Sequence, residues 1–126
     1  MSYPVVAILD AGANEKLHNM GFLAHNIEIT SDLQIHKRED YDPLFPSYGT
    51  NCAAIIKKYT NDAILSSVKI LNNDSHKGMK EQLILALKWC ADNGINIANL
   101  SFGTIDFRDF IEIRDVVKIN EAALRE

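Results

Sequence analysis

The chain has 126 residues, with 13 Lys plus Arg against 17 Asp plus Glu and a formal charge of −4. That length bounds it at one domain, and 47% hydrophobic with 24% charged residues is the ordinary mixture of a soluble globular domain with a single core. The mildly acidic balance lacks a basic block for phosphates, and no apolar stretch nears the roughly 20 residues that cross a bilayer, so neither nucleic acid nor membrane is an expected partner.

Met1-Ser2-Tyr3-Pro4 has no basic flank, apolar core or small-residue cleavage pattern, so it does not read as a signal peptide. The cysteines, Cys52 and Cys90, both fall inside apolar helical patterns and lack Cys-x-x-Cys spacing. Two buried free thiols in a reducing cytoplasm are the expectation. No repeat or low-complexity tract is present, and Pro4, Pro43 and Pro46 leave the later chain free of that breaker.

Tyr3 to Asp10 is a continuous apolar run ended by Ala11-Gly12, which suits a strand buried on both faces of a parallel sheet. Ala24 to Thr30 alternates weakly and predicts a second strand. Ser31 to Ser47, with Lys37-Arg38-Glu39-Asp40 and two prolines, predicts a loop. From near Gly49, Cys52, Ile55, Ile56 and Tyr59 recur at helical spacing, with Lys57 and Lys58 suiting the dipole of the last turn. Ala63 to Leu71 predicts a third strand and Asn72 to Ser75 a turn.

A second helix is predicted from about Lys77 to Asn93, with Met79, Leu83, Ala86, Leu87 and Cys90 on its apolar face and Gly94 as a left-handed cap. Ile95 to Leu100 predicts a fourth strand. Ser101 to Thr104 predicts a loop, and Phe107 to Leu124 a last amphipathic helix. Strands alternating with helices imply a parallel α/β sheet with right-handed crossovers. Function in such sheets collects beyond the strand C-termini, here at Asp10 to Gly12, Leu71 to Gly78 and Ser101 to Gly103.

Three segments carry a more specific pattern. Val5 to Gly12 is an apolar strand ending in Asp-Ala-Gly. Tyr48-Gly49-Thr50-Asn51-Cys52-Ala53-Ala54 opens a helix. Val68-Lys69-Ile70-Leu71 is followed by the helix-borne Trp89 and then by Ala98-Asn99-Leu100-Ser101-Phe102-Gly103. In this order and spacing they resemble the subtilisin-like serine peptidases. The resemblance runs from about residue 4 to 124 and corresponds to the first half or so of the family's domain. It implies a three-layer subtilisin-like parallel sheet, truncated to about four strands and three helices, with residues 1–126 forming a single partial domain.

By that resemblance Asp10 stands at the catalytic Asp position, Tyr48 occupies the His position, and the segment carrying the family's Ser has no counterpart. A tyrosine with pKa about 10 keeps its proton at pH 7 and cannot serve as the base that activates a serine. The expectation is therefore a non-catalytic pseudo-peptidase domain that binds a peptide segment or a protein partner. Asp10 would be a relic that hydrogen-bonds the Gly12 turn. The family's extended-peptide mode implies contacts at Leu100, Ser101, Phe102 and Gly103 on one side and at Ser75 and Gly78 on the other. Phe102 packing under the last helix is the alternative for that residue.

His18, His25, His36 and His76 are scattered without ligand spacing, and each is expected to be a surface or turn residue. No metal or cofactor is expected. The resemblance also leaves the edge of the fourth strand bare, open to self-association or to a complementing chain. Two alternatives remain: part of an active serine endopeptidase completed by a C-terminal part or a second chain, and a flavodoxin-like or receiver-like domain with Asp10 as an acidic-site residue.

Overall fold

A computed structural model describes residues 4–13, 23–38, 48–59, 62–72 and 77–100. Their elements, in chain order, are β1 (Val5–Asp10), β2 (His25–Ile29), β3 (Ile35–Lys37), α1 (Tyr48–Tyr59), β4 (Ile64–Lys69), α2 (Lys80–Asp92) and β5 (Ile97–Leu100). The strands form one sheet in the order β3-β2-β4-β1-β5. β2, β4, β1 and β5 are parallel, and β3 runs antiparallel to β2. The described residues thus form an α/β domain with a five-stranded, mostly parallel sheet and two helices.

Side chains alternate across the sheet, so each helix receives its own set. Ala7, Leu9, Ile27, Ile29 and Val68 meet Leu83, Ala86, Leu87 and Cys90 of α2 in the larger core. On the opposite face, Val6, Ile8 and Leu65 meet Ala53 of α1. The internal strand β1 supplies both layers, which explains why Val5 to Leu9 are apolar in succession rather than at alternate positions.

The end of α2 is built as the sequence predicts. Gly94 takes a φ of 71°, and the Ile95 amide bonds the Cys90 carbonyl at 3.0 Å, the long bond of a Schellman cap. Ile95, buried beside Cys90 in the same cluster, completes the cap's apolar contact.

Several sequence expectations are corrected. The segment 31–47, expected to be all loop, contains β3, so the described residues hold five strands rather than about four. β3 is three residues long and wholly exposed, so it leaves no burial pattern to read. It is held by its pairing to β2 and by a tight turn in which the Thr30 amide bonds the Gln34 carbonyl at 2.9 Å. The buried stripe of α1 is rotated from the expected one. Thr50 and Ala53 are fully buried, whereas Ile55 is 58% exposed. The inner face of α1 is thus built on the small side chains Thr50 and Ala53, with Cys52 and Ile56 partly buried beside them.

Helix α2 begins at Lys80, three residues later than expected, and Met79 before it is exposed rather than on the apolar face. Its start is fixed instead by Gln82, whose Oε1 accepts the Met79 amide at 2.7 Å while its Nε2 donates to the Ile29 carbonyl at 2.8 Å. Both cysteines are free, but only Cys90 is buried; Cys52 is half-buried. The expected helix Phe107 to Leu124 lies outside the described residues. Among the described residues, no helix is long and apolar enough to cross a membrane.

Candidate functional site

The C-terminal end of β1 is where the sheet's apolar faces give way to polar groups. Asp10 is 3% exposed, and its Oδ1 accepts the Ala11 amide at 2.7 Å. The Asp10 carbonyl receives the Ile70 and Leu71 amides at 2.9 and 3.2 Å, which ties the exit of β1 to the exit of β4. Lys69, the register partner of Asp10 on β4, completes the tie. Its Nζ donates to the carbonyls of Leu71 at 2.7 Å and Ala11 at 3.2 Å.

Beyond Asp10 the chain folds back over the α1 face. Gly12 takes a φ of 96° there, and a Cβ on it would lie 2.3 Å from an Arg38 guanidinium nitrogen. The dihedral requires glycine, whereas the Arg38 side-chain end could move aside for a Cβ. The turn is then pinned from three directions. The Ala13 amide donates to the Ser67 Oγ at 3.1 Å, and the Ala13 carbonyl accepts from Asn26 Nδ2 and from Arg38 at 3.2 Å each. Buried Ser67 and Asn26 therefore hold the strand-to-loop turn in place.

The alternation of β1 puts Asp10 on the same face as Val6 and Ile8, the face covered by α1. Helix α1 has 12 residues, about 18 Å long, and four residues separate its end from the start of β4. It therefore runs antiparallel to β1 and β4, and its first residue, Tyr48, lies at the sheet end that also holds Asp10. β1 lies between β4 and β5 in the sheet, so the exit of Asp10 is flanked by the segment leading to Gly78 on one side and by Leu100, the partner of Leu9, on the other.

Of the expected contact residues, Leu100 is 41% exposed at the end of β5. Gly78 crosses the end of β4 so closely that a Cβ would lie 2.3 Å from the Ile70 carbonyl oxygen, and the neighbouring Lys77 carbonyl accepts the Asn72 amide at 2.9 Å. Ser75, Ser101, Phe102 and Gly103 lie outside the described residues. On the β2 side of the Gly78 segment is an open groove of about 520 Å³, lined by Glu28, Thr30, Lys69, Lys77, Met79 and Gln82 among others.

Of the two described histidines, His36 on the edge strand β3 pairs with Glu28, in the same row as Lys69 and Asp10 but three strands from Asp10. His25 starts β2, at the opposite end of the sheet, and packs edge-on against Trp89 with ring centroids 5.2 Å apart. His36 is exposed on β3; His18 and His76 lie outside the described residues. Among the described residues, no three His, Cys, Asp or Glu side chains approach closely enough to hold a metal. Burial pushes the Cys90 thiol up from 9.0 to about 12, which makes it a packing group rather than a nucleophile.

Arg38, Ser67, Asn26 and Lys69 are the site residues that sequence reasoning missed. Arg38 reads as one charge in a solvated cluster, and Ser67 and Asn26 read as the polar positions of half-buried strands. Only Gly12, following an apolar strand that ends in Asp, signals a turn needing anchors. No family model matches the chain, and a search of the curated proteins finds no relative.

Proposed function

We propose that the chain is a subtilisin-like pseudo-peptidase domain that holds an extended peptide or partner segment across the exits of β4, β1 and β5 without cleaving it. The observation that carries this reading is the strand order, which sets Asp10 between the Gly78 segment and Leu100 on the face covered by the helix that Tyr48 opens. Two flanking strand exits supply backbone groups at either side of Asp10, the requirement for β-type peptide capture. Tyr48 keeps its proton at neutral pH, and Asp10 already has one carboxylate oxygen engaged by its own turn. A tyrosine at the His position thus supplies no base to activate a nucleophile. The cytoplasm is part of the same proposal, supported by two free thiols.

The test uses fluorescein-labelled, chemically unfolded casein. Anisotropy should report saturable binding, gel analysis should show an intact substrate, and Leu100→Asp should weaken binding at least tenfold with the fold retained by circular dichroism. Cleavage that Asp10→Ala abolishes would overturn the reading, and so would an absence of binding.

A further inference from the structure

The C-terminal cap of α2 contains a dipeptide able to react with itself. We propose that Asn93-Gly94 is a site of spontaneous deamidation, and that local opening of this cap sets its rate.

Asn93-Gly94 is the one place in the chain where glycine follows asparagine. The reaction needs only base and water beyond these two residues. The Gly94 amide gives up its proton, and its nitrogen attacks the Asn93 side-chain carbon, Cγ. A Cγ–N bond forms, the Cγ–Nδ2 bond breaks, and the departing nitrogen takes a proton to leave as ammonia. The cyclic imide then takes up one water and opens to aspartate or, at its other carbonyl, to isoaspartate. Nothing is oxidised or reduced. Glycine favours the attack because it has no side chain to shield its nitrogen and its backbone turns easily. Both residues are exposed, and a Cβ on Gly94 would meet nothing within 4 Å, so base and water reach the site and a ring has room to form.

The closed cap opposes the reaction in two ways. Ring closure requires the Gly94 nitrogen to swing about the Asn93 Cα–C bond until it lies alongside Cβ. The Asn93 ψ of 19° turns that nitrogen away from Cβ. The cap fixes this dihedral: the Asn93 amide donates to the Trp89 and Cys90 carbonyls at 3.0 and 3.3 Å, and the Ile95 amide closes the turn on Cys90. The leaving group is also held, since Nδ2 donates to the Trp89 carbonyl at 2.8 Å. Helix ends open more readily than helix centres, so the reaction proceeds from the opened cap.

The product weakens the cap that slows its formation. A carboxylate only accepts hydrogen bonds, so it cannot replace Nδ2 at the Trp89 carbonyl. It also adds negative charge at the negative end of α2, whose last turn ends in Asp92 and has no basic residue. Deamidation therefore loosens the end of α2 slowly and in one direction.

The test follows the whole chain in mildly alkaline buffer, with and without urea, by peptide mapping and mass spectrometry. Asn93 is expected to convert in the folded chain, at least tenfold more slowly than in the unfolded one. Ile95→Val, which trims the apolar contact of the cap, should speed conversion in the folded chain at least twofold and leave the unfolded rate unchanged. Leu9→Ala, remote from the cap, should leave the folded rate within twofold of wild type. Asn93→Asp, which stands for the aspartate product, should lower the urea midpoint while circular dichroism shows the helices retained. A folded chain whose Asn93 stays intact while the unfolded chain converts fully overturns the site. Equal rates with and without urea overturn the gate, and so does an acceleration by Leu9→Ala as large as that by Ile95→Val, because conversion would then pass through global unfolding. An Asn93→Asp chain as stable as wild type overturns the loosening.

Discussion

On the α2 face of the sheet, Ala7, Leu9, Ile27, Ile29 and Val68 form an apolar floor, interrupted only by Ser66 among the described buried strand residues, beneath Leu83, Ala86, Leu87 and Cys90. On the α1 face, Val6, Ile8 and Leu65 serve the same purpose under Ala53, but then Asp10, Ser67 and Asn26 follow, all buried and polar. The first face stabilises the fold through area removed from water, at about 25 cal/mol per Å². The second gives up part of that area to anchor the turn at residues 11–13. Substitutions on the α2 face should therefore act on stability, and those on the polar half of the α1 face on the turn and on binding.

The largest effect expected from this contrast is at Leu9, which is fully buried. Leu9→Ala should cost about 3 kcal/mol in urea unfolding, from lost transfer energy and the cavity left behind. Casein binding measured well below the unfolding transition should stay within twofold of wild type. A binding loss as large as that of Leu100→Asp would dissolve the distinction between the two faces.

Next is a pH effect confined to the α2 face. Burial raises the Cys90 thiol to about 12 from 9.0. The folded chain therefore keeps a proton that the unfolded chain releases between those values. The stabilisation is complete below pH 9 and is lost as pH rises, at up to about 1.4 kcal/mol per pH unit. Unfolding of wild type and of Cys90→Ala, compared at pH 7.5 and pH 10.5, should show wild type losing about 2 kcal/mol more than the variant. Parallel pH curves would mean that the thiol is not held in an apolar site.

The same contrast explains what the sequence makes legible. β1 is readable because a strand buried on both faces must be apolar throughout, and α2 because its stripe of Leu83, Ala86, Leu87 and Cys90 covers a large floor. The rotation of α1 is not readable, since Ile55 satisfies the helical spacing as well as Ala53 does. β3 is hidden because its three exposed residues are held by hydrogen bonds to β2, and backbone pairing leaves no mark on side-chain pattern. At the candidate site Asp10 and Gly12 stand out at the end of an apolar strand. Arg38 arrives from 25 residues beyond Ala13, and no local periodicity connects the two.

Ser66 and Ser67 give the sharpest form of the comparison, because they are adjacent, chemically identical and fully buried, yet face opposite layers. Ser67 accepts the Ala13 amide, whereas the Ser66 hydroxyl, among the apolar residues under α2, has no hydrogen-bond partner among the described residues. Ser67→Ala should destabilise by about 1–2 kcal/mol, because the Ala13 amide is left buried without its acceptor. It should also weaken casein binding, since the turn beside Asp10 loses an anchor. Ser66→Ala removes an oxygen whose desolvation nothing offsets, so it should be neutral or stabilise by up to about 1 kcal/mol, with binding unchanged. Chemical denaturation of the two single variants under one set of conditions measures the difference. Equal losses would place a polar partner for Ser66 in the α2 layer and would remove the division of labour between the faces.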